Sequence, residues 1–266
     1  MEIVGYIASI LMGLLLGLIG GGGSILTIPI LVYLFGVDPV LATAYSLFVV
    51  GLTSLVGSIS HFRHGNVHLK TAILFGIPSI VSVFAVRKFV VPIIPDSIFS
   101  IGSFVVSKPL FIMVLFAVLM LVAAFSMIVK QKKETSDSKP IKHNYFLILI
   151  EGMLVGGVTG LVGAGGGFLI IPALVLFVGL SMRRAVGTSL LIIALKSLIG
   201  FTGDMMSTVE LDYHFMILFS SFAVVGILSG TYIHKFIPAK KLRPTFGWFV
   251  LAMGIFILSK ELLFGK

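Results

Sequence analysis

Two clusters of glycine mark where this chain can do chemistry with its backbone. Gly20, Gly21, Gly22 and Gly23 are consecutive and are followed by Ser24; Gly163, Gly165, Gly166 and Gly167 repeat the pattern around Ala164. Each glycine disfavours helix by about 1 kcal/mol relative to alanine, so four together predict a break. An apolar segment follows each break, with Pro29 six residues after Gly23 and Pro172 six after Gly166. The first N–H groups of such a helix have no intrahelical acceptor, and the helix dipole adds positive potential there. That arrangement binds anions. The competing reading is that the glycines only let helices approach closely. Two matching clusters favour a binding site.

One amine and four hydroxyls could complete such a site. Lys196, in "GTSLLIIALKSLIGFTG", lies nine residues after Gly187 and seven before Gly203. A lysine centred in an apolar helix costs about 2.5–3.5 kcal/mol in a bilayer and faces a partner or a cavity. It is the counter-charge of an anion, half of a structural pair with Asp204 or Glu151, or a snorkelling side chain. Thr43 and Ser46 in "ATAYS", and Thr188 and Ser189 in "AVGTS", occupy corresponding stretches. Their hydroxyls can donate to an anion or satisfy a carbonyl of their own helix. His61, Arg63, His64 and His68 read as a solvated basic loop. Glu151 opens an apolar segment and reads equally as a proton relay or as an interfacial carboxylate. Ser24 would be the nucleophile of an intramembrane hydrolase, but its counterpart in the second cluster is Gly167, and no histidine lies in an apolar core segment.

These residues have to be positioned by elements that live in lipid. The 266 residues are 58% hydrophobic and 11% charged, against roughly a quarter charged in soluble domains. Apolar runs cover residues 3–35, 40–61, 71–89, 109–129, 145–178, 185–205, 214–236 and 246–263. They are apolar on every face, which predicts membrane helices rather than the alternating strands of a barrel. The net charge of +9 comes from Lys and Arg in short loops, where they set orientation, so nucleic acid is not an expected partner. With no cysteine, disulfides and thiolate metal sites are excluded; neither a metal site nor a cofactor is expected. The first twenty residues lack a basic leader region and read as a membrane segment, not a removable signal.

The chain repeats itself. At a shift of 143, roughly eighteen of some forty positions in 17–57 are identical to 160–200, including Pro29 with Pro172 and Ser46 with Ser189. The charged stretch 130–144 separates the halves and reads as a linker. If every apolar run crossed the membrane once, about nine Lys/Arg would fall on each side. If each glycine-broken run turns back instead, the count is about thirteen against five, a clear positive-inside asymmetry. The expected fold is therefore all-α and polytopic. It has two inverted repeats, residues 1–129 and 145–266, joined by a cytoplasmic linker 130–144. Each repeat has a glycine-broken, re-entrant or hairpin helix pair plus three transmembrane helices, and both termini lie outside. Such a protein suits a secondary transporter holding a small anion at paired half-helix ends near the midplane. A passive anion channel is the alternative.

The segments "GLIGGGGSILTIPIL", "GLVGAGGGFLIIPAL", "AVGTS" and "HFRHGNV" resemble the TauE/SafE family, the sulfite exporters or toluenesulfonate uptake permeases. The resemblance covers nearly the whole chain outside the linker. It implies a duplicated transporter of the cytoplasmic (inner) membrane, moving sulfite or an organosulfonate, by export, with Gly20–Gly23 and Gly163–Gly167 as signature loops. The first half departs from the usual pattern in "ATAYS", which has no glycine where the second half has Gly187.

Overall fold

The computed structural model describes residues 2–101, 104–128, 145–176, 178–206, 211–233 and 239–264. The expected linker 130–144, Glu210, Lys235 and Lys266 lie outside them. The protein is an all-α polytopic membrane protein. Helix α1 (Glu2–Ile19) leads through a 3-10 segment (Gly21–Leu26) into the short α2 (Thr27–Leu34). Next come α3 (Pro39–Arg63) and α4 (Leu69–Ala85), which continues through a π-helical turn (Val86–Val90) into α5 (Val91–Ile93). A two-stranded antiparallel hairpin, β1 (Ser97–Ile101) and β2 (Phe104–Ser107), precedes α6 (Lys108–Ile128). Then follow α7 (Tyr145–Val162), α8 (Gly167–Leu176), α9 (Met182–Met205), α10 (Tyr213–Ile233) and α11 (Ala239–Phe264). The hairpin is the one departure from all-helical structure among the described residues. Its β-branched and aromatic residues favour strands, and prolines at 95 and 109 bracket it.

Among the described residues, six helices are long and apolar enough to cross a bilayer: Pro39–Arg63, Leu69–Ile93, Lys108–Ile128, Met182–Met205, Tyr213–Ile233 and Pro244–Leu263. Ile3–Ile19, Gly21–Leu34 and Phe146–Val162 are shorter. Their outward faces are apolar: Ile73, Ile77 and Val81 on α4 are each more than half exposed. At i, i+4 and i+8 they form one stripe that only lipid solvates well.

The first glycine-broken run is a hairpin. Phe35, just past α2, packs edge-on against Tyr6 near the start of α1, with ring centroids 5.2 Å apart. The chain thus returns to the end from which α1 began. Both short helices stop in the same way. Val37 N–H donates to Leu31 O and Leu180 N–H to Leu174 O, each at 3.0 Å, around Gly36 and Gly179 at φ 68° and 77°. This is the Schellman termination, which needs a left-handed residue. Asp38 then caps α3, its carboxylate accepting from Val40 N–H at 2.8 Å.

Polar contacts fix the two ends of the bundle. At one end Tyr33 meets Glu261, Asp212 meets Tyr45, and Arg87 meets Asp204. This end holds the start of α1 and the end of α11. At the other, His68 N–H donates to Thr188 Oγ1 at 2.9 Å; this end holds the end of α3 and the start of α9. Helix pairing is symmetric under exchange of the halves: α1 packs on α10 as α7 packs on α4, α3 on α10 as α9 on α4, and α3 on α9. Glycines permit these pairings. A methyl at Gly13 or Gly17 would strike α10 backbone, and one at Gly152 or Gly156 would strike α4 backbone.

Candidate functional site

The two glycine turns are built differently. In the first, Gly20 at φ 75° ends α1, and Gly21, Gly22 and Gly23 are already 3-10 helix, fully buried. The break expected from four glycines is thus a change of helix type, made at one left-handed residue. Ser24 Oγ donates to Gly21 O at 2.7 Å, and Thr27 Oγ1 to Ser24 O at 3.1 Å. Ser24 therefore braces its own turn and is not aligned with a base. In the second turn Gly163, Gly165 and Gly166 all have positive φ. Leu169 and Ile170 N–H both donate to Gly166 O at 3.0 Å. The helix itself offers no acceptor to the earlier N–H groups of Gly167 and Phe168.

The turns touch. A Cβ on Gly21 would sit 2.7 Å from the carbonyl carbon of Gly167, and one on Gly167 would sit 2.6 Å from that of Gly21. Only two glycines let backbones meet this closely. Ile193 of α9 lies against both turns. Gly22 faces away, toward Ile19 and Phe246, and with Ile19, Phe168 and Ile171 it lines an apolar cavity of about 10 Å³, at most the space of one water. Close packing and a candidate site thus coincide at Gly21 and Gly167, although sequence reasoning set them as alternatives.

Lys196 stands beside the second turn. It is fully buried, and Nζ donates to Thr159 Oγ1 at 2.9 Å. A Cβ on Gly166 would lie 2.8 Å from that Nζ. Asp204 and Glu151, the carboxylates considered as its partners, are engaged elsewhere or apart: Asp204 pairs with Arg87 at 3.3 Å, and Glu151 Oε2 is buried without a hydrogen-bond partner among the described residues. Thr159 carries no sequence signal, because its repeat counterpart is Leu16.

The hydroxyls divide. Ser189 Oγ donates to Val186 O of its own helix at 2.9 Å, and Thr188 Oγ1 accepts from His68 N–H across the bundle. Ser46 Oγ is buried with no hydrogen-bond partner among the described residues. Thr43 donates to Val40 O and accepts from Arg87 Nη1 at 2.9 Å. A Cβ on Gly163 would collide with the backbone and Cβ of Thr43, which places that residue at the second turn. His61 is buried, unlike the exposed Arg63 and His64, so the expected solvated loop begins only after it. Arg87 was not among the expected site residues, yet it is 1% exposed.

Lys196 and, through Thr43, Arg87 thus lie beside the second glycine turn of a lipid-facing helical bundle. The family description "Sulfite exporter TauE/SafE" matches residues 6–257. The chain belongs to the TauE/SafE family. A protein of Xylella fastidiosa (strain Temecula1), called a probable membrane transporter protein, is 28% identical over 94% of this chain and 92% of its own. The probable membrane transporter protein YdhB of Bacillus subtilis is 30% identical over 84% of each chain. No solved structure matches this TauE/SafE chain. It is a multi-pass membrane transporter, and the names of its relatives describe transport rather than catalysis.

Proposed function

We propose that this TauE/SafE chain is a secondary transporter that exports a small oxyanion, sulfite or an organosulfonate, across the cytoplasmic membrane. The observation that carries the reading is the Lys196 ammonium, fully buried at the second glycine turn and bonded to a hydroxyl rather than a carboxylate. A buried cation without an anion partner is costly, and a permeating anion supplies the missing charge. The N–H groups of Gly167 and Phe168 at the start of α8 would share the load. Gly20–Gly23 act by closing against this turn: with Gly21 and Gly167 in contact there is no room for an anion between them, so transport requires the turns to part. That favours a carrier over an open channel. Glu151 is the candidate for proton coupling.

We read the halves 1–129 and 145–266 as inverted repeats. A returning hairpin plus three crossings is an odd number, so the second half starts from the opposite side. Burial of Arg87 lowers the basic count at the termini side from about five to about four, against about thirteen at the side of the linker 130–144. The linker then faces the cytoplasm and the termini lie outside.

Proteoliposomes loaded with radiolabelled sulfite test the function. The expected result is saturable flux that Lys196→Met removes and Lys196→Arg partly restores, because the guanidinium keeps the charge in a larger planar group. Unaltered flux in a purified, folded Lys196→Met variant would return the lysine to a structural role.

A further inference from the structure

Arg87 has a coordination that a structural ion pair does not explain. It sits in the π-helical turn that interrupts α4; such turns are rare and recur at functional sites. Its side chain is 1% exposed. Nη1 serves both Thr43 Oγ1 at 2.9 Å and Asp204 Oδ1 at 3.3 Å. Nε and Nη2 are buried and have no hydrogen-bond partner among the described residues. A guanidinium presents five donors in a fork suited to two oxygens of one oxyanion. Here a carboxylate reaches the fork at a single nitrogen, and at long range for a charge-assisted bond.

The location is equally specific. Asp204 lies eight residues beyond Lys196 on α9, about 12 Å along the helix axis. Thr43, which accepts from Arg87, also bears on Gly163, while Lys196 bears on Gly166. The two buried cations therefore stand at opposite ends of one glycine turn. The repeat counterpart of Arg87, in the first half, is Gly230, and that of Lys196, in the second half, is Thr53, so neither charge is duplicated.

We propose that Arg87 is a second oxyanion subsite, between Lys196 and the end of the bundle where the termini lie. Asp204 is its resident stand-in, displaced when an anion arrives from Lys196. The proposal rests on the transport reading for the identity of the anion, but its test is separate. Radiolabelled sulfite is titrated by equilibrium dialysis against purified protein in lipid nanodiscs. Asp204→Asn removes the competitor, so in a Lys196→Met background it should tighten sulfite binding by about tenfold or more, equivalent to about 1.4 kcal/mol. Adding Arg87→Gln should abolish that gain. A purely structural pair predicts the reverse: Asp204→Asn would bind no tighter and would only lower the melting temperature, and that result overturns the subsite. Retention of the gain without Arg87 overturns it too. If Asp204→Asn does not purify, the neutral pair Arg87→Gln with Asp204→Asn, in a chain that keeps Lys196, leaves no unpaired charge at this position. It should then bind less sulfite per chain than wild type; equal binding rejects the subsite. Failure of the transport-site reading shows elsewhere, as wild-type affinity and flux in Lys196→Met alone.

Discussion

At the residue scale, the glycines are not equivalent. Gly21 and Gly167 touch through backbone, so a methyl at either must move a main chain; overpacking of this kind costs about 1–3 kcal/mol. Gly22 would meet only the side chains of Ile19 and Phe246, at 3.1 and 3.4 Å. The expectation is that Gly21→Ala and Gly167→Ala each lower the melting temperature in detergent and abolish sulfite flux, while Gly22→Ala keeps both near wild type. Equal behaviour of all three would show that the contact between turns has no role. Gly166 adds a second penalty, since φ 68° disfavours any Cβ by about 1–2 kcal/mol, and the methyl would press on Thr159 and Lys196. Ser24→Gly loses one hydrogen bond to Gly21 O, worth about 1 kcal/mol. It should transport, because the hydroxyl holds a turn and touches nothing reactive. A dead Ser24→Gly variant with intact folding would contradict that. The glycine clusters and Lys196 were legible in the sequence because broken helices and a lone amine in lipid are costly wherever they occur. Thr159 and Arg87 were not, since a threonine in an apolar helix and an arginine near a helix end are ordinary.

At the element scale, small residues decide which helices pair. Gly226 and Gly230 on α10 face Ile10 and Leu14 of α1, and an added Cβ would collide with backbone at both. By contrast, a Cβ on Gly76 of α4 would reach only Ile192, at an ordinary 3.9 Å. Gly230→Val should therefore separate α1 from α10 and cost a few kcal/mol, read as a lowered melting temperature and loss of monodisperse protein. Gly76→Ala should be neutral or slightly stabilising, since alanine favours helix by about 1 kcal/mol over glycine. The reverse order of stability would refute the pairing. The helix boundaries followed from hydropathy to within a few residues over most of the chain. The start of α11 at Ala239 did not, because Lys240, Lys241, Arg243 and Thr245 interrupt the apolar pattern there.

At the scale of the whole molecule, topology is the testable quantity, and the absence of native cysteine makes labelling clean. Single variants Asp38→Cys and His214→Cys should react from one side of the membrane. His64→Cys and Arg184→Cys should react from the other, the side of the linker 130–144. If each apolar run crossed once, His64→Cys and Arg184→Cys would be labelled from opposite sides, and the hairpin topology would fail.

The sequence by itself determined the solvent, the helices, the repeat and the places where the backbone must break. Each of these depends on local properties: hydropathy over about twenty residues, helix propensity, and identity at a fixed shift. Only the tertiary structure decided that Gly21 meets Gly167, that Lys196 reaches Thr159 rather than Asp204, and that Asp204 belongs to Arg87. These contacts join residues 37 to 146 positions apart. In a bilayer, apolar helices gain no hydrophobic free energy from one neighbour over another, so partner choice rests on shape and on a few polar bonds. Those exist only once both helices are in place.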